Sequence, residues 1–383
     1  MDHQGVNRAT LYSLCKDLAR EFPFAQKLNS SARQASAERA WFAISNFYRR
    51  CREKAARKGY PKFQKHCRSV EYKQSGWKLS PDGMSITFTD GFHAGTFALY
   101  CNGEARRDIL TLKINRVRVI RRADGYYAQF CLDVDRREQV EYTGQVVGLD
   151  MGLTHFYTDS HGHKVECPKF LRRAERRLKR EQRRLSRKFQ RGARPQSKNY
   201  HKQRNRLGKV HLKVQRQRRD WVIKLARCVV ASHDVVAYED LQVRNLVRNH
   251  HLAKSIHDAS WSLFTGWLDY YGKVFNKVVV AVPPQYTSQD CSQCDHRVKK
   301  TLSTRTHRCP RCGAVIDRDE NAAINILRKG LELLGEEWNN STQGHWGTAS
   351  KEGTPGETST SAVEGQPDMV SAVVEPGTRI PCL

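Results

Sequence analysis

The chain has 383 residues, with 67 Lys or Arg against 39 Asp or Glu and a formal charge of +28. That length accommodates two or three hydrophobic cores, and the charge makes nucleic acid the natural partner, with an anionic membrane surface as the weaker alternative. No apolar run reaches bilayer length, and the start, MDHQGVNRAT, lacks the basic-then-apolar pattern of a signal peptide, so a cytoplasmic protein with no membrane partner is expected.

Residues 8 to about 60 have helical periodicity, with Ala37, Ala40, Trp41, Ile44 and Phe47 on one face and Gly59, Tyr60 and Pro61 as the stop. From Lys62 to about Arg137 the pattern changes to short alternating runs, SITFTD, TFALYC, ILTLKINRVRVIRR and YYAQFCLDV, separated by PDG, NG and DG turns. A small antiparallel sheet or barrel is expected there. Lys113, Arg116, Arg118, Arg121 and Arg122 make it basic, and Trp77 and Tyr126 are candidates for stacking on bases, or equally for core and surface roles.

The strand Gln145–Leu149 runs into Asp150, and Gly152 permits a turn into the hairpin His155–Val165. Between Lys169 and Arg219 there are 22 Lys or Arg against two Glu. Leu171, Leu178 and Leu185 recur every seven residues, as do Leu207, Val214 and Trp221, with the polar stretch QRGARPQSKN between the series. This predicts a helical hairpin with a thin apolar seam and basic outer faces that clamp phosphates. Arg172, Arg173, Arg176, Arg180, Arg183, Arg184, Arg187 and Lys188, with Lys113, Arg116 and Arg118 of the strands, are the candidate nucleic-acid contacts. Farther on, Asp234–Tyr238 runs into Glu239 as the earlier strand runs into Asp150.

Cys291, Cys294, Cys309 and Cys312 form two Cys-x-x-Cys pairs separated by residues 295–308, the spacing of a four-cysteine zinc ribbon holding one structural Zn²⁺. His296 and His307 lie inside the ribbon loop, where four cysteines leave no need for a histidine ligand. The other eight cysteines have no paired spacing and are expected as reduced thiols. Directly behind the ribbon, Asp319 begins a helix over Glu320–Leu334. His161, His163, His250 and His251 sit in polar contexts without a paired nucleophile. From Glu336 to Leu383 seven acids face two bases in a Gly-, Ser-, Thr- and Pro-rich stretch expected to be disordered.

Asp150, Glu239 and Asp319 thus stand at element ends. A single acid at such a place is ordinarily a turn or cap residue, but adjacent strands and a helix across their sheet can bring three together. Such a pocket suits Mg²⁺, and two ions about 3.5–4 Å apart clamp the attacking and leaving oxygens in phosphodiester hydrolysis.

The strings VVGLDMGLTHFYT and VVAYEDLQVRNLVRNHHLAKSIHDASW, with the ribbon followed by DRDENAA, resemble the TnpB proteins of bacterial insertion sequences, ancestors of type V CRISPR nucleases. The resemblance runs from about Gly59 to Leu334. It implies a multidomain α/β and α+β protein with a RuvC-like (RNase H-like) core. Its catalytic, Mg²⁺-binding acids would be Asp150, Glu239 and Asp319, with Asp317 a less favoured substitute for the last. It also implies a transposon-derived guide RNA as cofactor and partner, double-stranded target DNA cut beside a short flanking motif, and a bacterial, nucleoid-associated location. The implied domains are a helical recognition lobe (1–61), a β-rich wedge (62–140), a RuvC-like core (141–283) with the basic hairpin inserted at 166–232, a zinc ribbon (284–313), the final RuvC segment (314–334) and an acidic tail (335–383). Family members usually open with a Tyr-x-x-Arg-Leu-like strand and a first helix; here the lobe is expected to be shortened. An RNA-guided repressor without efficient cleavage, a strand-transferring transposase and a zinc-ribbon transcription factor are the competing readings.

Overall fold

In the computed structural model the described residues are 7–55, 58–63, 67–193, 195–301 and 304–338. The acidic tail expected from 335 lies almost wholly outside them; the last helix continues through Gly335 to Trp338. The chain divides into two compact units, one ending at Asp135 and one beginning at Arg136.

The first unit opens with α1 (Arg8–Glu21), α2 (Pro23–Gln26) and α3 (Ser30–Arg52). Asn7 caps α1 by accepting from the Thr10 N–H while the Thr10 hydroxyl accepts from the Asn7 N–H, and Pro23 starts α2 where its missing donor costs nothing. α3 ends at Arg52, earlier than the Gly59 stop, with Lys54 in the left-handed region just beyond. Its buried face is Ser31, Ala32, Ala35, Ala37 and Glu38, toward its N-terminal half; Ala40, expected on the apolar face, is exposed. Next come β1 (Ser69–Tyr72), β2 (Trp77–Leu79), β3 (Ser85–Phe88), β4 (Gly95–Ala98), α4 (Gly103–Thr111), β5 (Ile114–Arg121) and β6 (Tyr126–Leu132). They make two three-stranded antiparallel sheets, ordered β1-β5-β6 and β2-β3-β4. The expected strand at ILTL is instead the end of α4, because Asn102 caps a helix there by accepting from the Ala105 N–H, and Ala105 and Ile109 form its buried side. Ala32 of α3 shares one core with Tyr72, Ile86, Phe88, Ile109, Val117 and Phe130, so the N-terminal helices and both sheets fold around common apolar contacts.

The second unit contains β7 (Val146–Met151), β8 (His155–Asp159), β9 (Lys164–Glu166), α5 (Phe170–Lys188), α6 (Lys198–Ser232), β10 (Val235–Glu239), α7 (Val243–Leu246), α8 (His250–Ala259), α9 (Trp261–Phe275), β11 (Val278–Val282), β12 (Thr306–Arg308), β13 (Val315–Asp317) and α10 (Arg318–Trp338). Its main sheet runs β11-β10-β7-β8-β9, with β10 parallel to both neighbours and β8 antiparallel to both of its own. Side chains alternate across a strand, which sorts the sheet into two faces. Val147 and Leu149 of β7 and Val236 and Tyr238 of β10 enter the large core with α6 and α9, where Phe156, Phe264, Leu268 and Phe275 are fully or almost fully buried. Each such side chain contributes about 1.5–3 kcal/mol. On the other face Ala237 and Val282 pack against Ile326 of α10. Two glycines permit this close approach: a Cβ on Gly148 would lie 2.1 Å from the Ala323 carbonyl oxygen, and one on Gly330 would lie 2.6 Å from the Ala237 Cβ. Asp150 shares the Gly148 face and Glu239 shares the Ala237 face, so both look toward α10.

α5 and α6 are the predicted hairpin. Leu178, Leu185, Leu207 and Val210 are buried between the arms, with Leu171, Ala174 and Tyr200 packed at the edges. Trp221 lies farther along α6, edge-on to Phe156 in the main core.

Candidate active site

Asp150 lies within β7 rather than beyond its end, opposite Thr158 of β8. The parallel register pairs Leu149 with Tyr238, so the following residues, Asp150 and Glu239, are neighbours at the carboxyl ends of adjacent strands, where open α/β sheets bind ligands. Asp319 enters from the first turn of α10 on the same face. Burial, and then the charges of Glu239 and Asp319, push the Asp150 carboxyl well above its ordinary range, while Arg318 acts in the opposite sense. Glu239 is only 7% exposed. Burial raises its carboxyl too, against a hydrogen bond donated by the Thr287 hydroxyl and the charge of Lys329. A desolvated carboxyl raised further by neighbouring acids, as Asp150 is, is a group that a cation would relieve.

Asp317 is committed elsewhere. Its Oδ1 accepts from the backbone N–H groups of Asp319 (2.9 Å) and Glu320 (3.3 Å), and its Oδ2 accepts from Lys164 Nζ at 2.7 Å. It therefore caps α10, which leaves the Asp319 side chain without that duty.

The ribbon is compact. All four sulfurs, of Cys291, Cys294, Cys309 and Cys312, lie within 4.8 Å of one another, with Cys291–Cys312 at 3.7 Å and Cys294–Cys309 at 3.5 Å. A tetrahedral ion with bonds of about 2.3 Å sets its sulfurs about 3.8 Å apart, so the donor set fits zinc. Backbone N–H groups of Cys312 and Arg311, with help from neighbouring thiols, draw the Cys309 thiol down to about 6. Cys294 receives a lowering bond from the His296 backbone, yet desolvation and the other thiols push it up to about 12. β12 and β13 form the second arm, and His307, fully buried, contacts Lys300 rather than the sulfurs. Among the described residues no other set of three or more His, Cys, Asp or Glu closes to 4.8 Å, the acidic trio included.

The candidate contacts of the hairpin's first arm lie at the surface. Arg172, Arg173, Arg176, Arg180, Arg183, Arg184, Arg187 and Lys188 are all exposed, as is Lys113. Arg180 and Arg184 lean on Glu181, which also accepts from the buried Gln203 amide at 2.7 Å. Arg116 and Arg118 depart from the expected exposed row. Arg116 pairs with both Glu38 and Glu71 at 2.9 Å, and Arg118 lies directly across from Glu71 and binds its Oε2 at 2.5 Å. They hold α3 and β1 against β5. Trp77 packs into the core with its Nε1 donating to the Lys73 carbonyl, whereas Tyr126 is 71% exposed.

Two further groups brace the elements around the site. Asp258 of α8, 4% exposed, accepts from the N–H groups of Leu171 (2.9 Å) and Arg172 (3.2 Å) and pairs with Arg218 at 2.8 Å, tying the base of both hairpin arms to one carboxylate. Asn321 and Asn325, fully buried on α10, donate to the Asp290 carbonyl at 2.9 and 2.7 Å. The signal for the second was present as two asparagines four apart on a helix facing the ribbon; nothing local marks Asp258.

Comparison with known proteins agrees with the motifs. Residues 129–250 match a family profile described as "Probable transposase", and residues 261–326 match one described as "Cas12f1-like, TNB domain". A Streptomyces pristinaespiralis protein named "Putative RNA-guided DNA endonuclease" is 36% identical over 191 residues, 49% of this chain and 46% of that protein. InsQ of Escherichia coli K12, named with the same words, is 28% identical over 76% of this chain and 72% of its own length, and the TnpB-like protein L79 of Acanthamoeba polyphaga mimivirus is 31% identical over 36% of this chain and 27% of its own. The chain thus spans about half the length of the first of these relatives. A cryo-EM structure of a Cas12f1–sgRNA–target DNA complex aligns over 84% of this chain and 75% of that one, with 13% identity and a TM-score of 0.49. With its ordered acid motifs and its ribbon immediately ahead of the third, the chain is similar over these stretches to proteins named as RNA-guided DNA endonucleases and as TnpB-like.

Proposed function

We propose that the protein is an RNA-guided DNA endonuclease of a transposable element, cutting target DNA at a RuvC-like centre built from Asp150, Glu239 and Asp319. The observation that carries the proposal is the meeting of two strand-end acids, from β7 and β10, with the first-turn acid of α10 on one face of the sheet. The names of the relatives supply the guide RNA and the DNA substrate.

The acids would hold Mg²⁺ through hard carboxylate oxygens, the donors such an ion takes. When bound, divalent cations supply charge neutralisation at the scissile phosphate and activation of water. The chain's own groups do the rest. Burial shields Glu239 from solvent, the Thr287 hydroxyl orients it, and Arg318 moderates the negative potential at Asp150. The exposed arginines of α5 bind the phosphate chain, which overcomes its repulsion by the acidic pocket. The mixed sheet with α6 and α9 on one face and α10 on the other is read as the RNase H-like core, the first unit as recognition lobe and wedge, and the ribbon as a zinc-bearing target-nucleic-acid-binding segment. Cleavage would leave 5′-phosphate ends.

Purified protein with co-expressed RNA, incubated with plasmid with and without Mg²⁺, tests this. Mg²⁺-dependent cuts directed by the copurified RNA are expected. Joined ends point to strand transfer, and binding without cuts to a repressor; either overturns the proposal.

A further inference from the structure

The segment between β11 and the ribbon does more than connect. Thr287, 4% exposed, donates its hydroxyl to Glu239 Oε1, while its carbonyl accepts from Asn325 Nδ2 at 2.8 Å. The same Asn325 amide donates to the Asp290 carbonyl at 2.7 Å, and Asn321 Nδ2 donates to that carbonyl at 2.9 Å. Asn321 Oδ1 in turn accepts from the Ser292 N–H at 3.0 Å. Ser292 lies within the first Cys-x-x-Cys turn, and Asn321 follows Asp319 by two residues on α10. One polar chain therefore runs from the zinc turn through two buried amides to the carboxylate of Glu239, and it is anchored on the helix that carries Asp319.

Buried amides are costly when unpaired, so the full burial of Asn321 and Asn325 leans on the Asp290 carbonyl, just ahead of the zinc turn, and on the Ser292 N–H within it. Opening the turn removes both partners, releases the Thr287 carbonyl and frees the hydroxyl that fixes one oxygen of Glu239. We infer that Thr287 is a positioning residue for Glu239, and that the zinc turn, acting through Asn321 and Asn325, sets how tightly the acidic site holds its divalent cation. The ribbon would then license the acidic site as well as meet nucleic acid. This rests on the reading of Asp150, Glu239 and Asp319 as a cation site.

The test is Mn²⁺ titration of the full chain, followed by electron paramagnetic resonance, alongside zinc content by atomic emission. Partners that orient metal ligands are typically worth 10–100-fold in affinity. Thr287→Val is expected to weaken Mn²⁺ binding by about that factor with zinc fully retained, and Thr287→Ser to restore it. Asn321→Ala, which removes the bond to the Ser292 N–H and one of the two to the Asp290 carbonyl without removing a zinc ligand, should weaken Mn²⁺ binding while keeping zinc, and Cys309→Ser should lose zinc and Mn²⁺ affinity together. Wild-type affinity in Thr287→Val overturns the positioning role. Wild-type affinity in both Asn321→Ala and Cys309→Ser overturns the coupling to zinc. A wild-type chain with no Mn²⁺ site sensitive to Asp150→Asn overturns the underlying reading instead, which separates the two failures.

Discussion

Replacing Asp150 by Asn removes one charge and almost no volume, and the consequence for stability is opposite to that for activity. Asp150, next to last in β7, and Glu239, last in β10, are neighbours on parallel strands about 4.8 Å apart, so their carboxylates repel across roughly 5–6 Å. At an effective dielectric of about 20 that is about 3 kcal/mol, and solvent at the partly accessible Asp150 reduces it to about 1–2 kcal/mol. In metal-free buffer Asp150→Asn is therefore expected to be more stable than wild type, with the Tm raised by about 2–8 °C. The sign extends to pH. Both carboxyls are raised in the folded chain, so the stability they contribute is fully present below the ordinary carboxylate range and is lost as pH climbs through the raised values. The advantage of the variant should accordingly widen from acid toward neutral pH. With Mg²⁺ at about 100 times its Kd, wild type should gain about 2.7 kcal/mol and the variant much less, while cleavage by the variant is abolished. Differential scanning calorimetry with EDTA and with Mg²⁺ reads all of this. A variant no more stable than wild type in EDTA, or one that gains as much from Mg²⁺, would refute the charge argument.

Cys291→Ser should lower zinc content and remove protection from hydrogen exchange across residues 291–317, because so short a segment has no core beyond its metal; unchanged protection would deny the metal its structural role. Converting Arg173, Arg176, Arg183 and Arg187 together to Gln should flatten the dependence of log affinity on log salt, as measured by filter binding. The slope is expected to fall by about 0.7–0.9 for every phosphate that is no longer neutralised, and an unchanged slope would take α5 off the nucleic-acid surface. Asp258→Ala leaves Arg218 unpaired and the first turn of α5 uncapped, at a cost of about 3–5 kcal/mol in urea unfolding, and a loss under 1 kcal/mol would show that the hairpin base does not depend on it.

What is legible in the chain is whatever local spacing carries. The two Cys-x-x-Cys pairs and the seven-residue leucine series of α5 are short-range patterns that correspond to distinct pieces of the structure, whereas on α6 the series holds only at Leu207, with Val210 completing the seam and Trp221 turned into the main core. Local spacing misleads where a short apolar run has two solutions. ILTL suits a strand, but the Asn102 cap a few residues earlier recruits it to a helix. It misleads again where a charge finds its partner through folding. Arg116 and Arg118 look like an exposed basic row at period two until β1 places Glu71 directly opposite Arg118 and α3 supplies Glu38. The same holds for Asp258, whose three partners lie 40 to 87 positions away, and for Thr287, 48 positions from Glu239. Such pairings are products of topology, and no window of sequence contains both halves.

The contact at Gly148 also bears on how much change the seat of α10 can tolerate. There α10 rests on bare backbone, its Ala323 carbonyl occupying the place of a missing methyl group. The gap between helix and sheet is at its floor, since no smaller residue exists with which to narrow it, and any larger one wedges the helix outward and carries Asp319 with it. Volume changes in the surrounding core can be absorbed by compensating swaps, but a side chain at this point cannot, so the seat of α10 on the sheet is gauged by backbone alone.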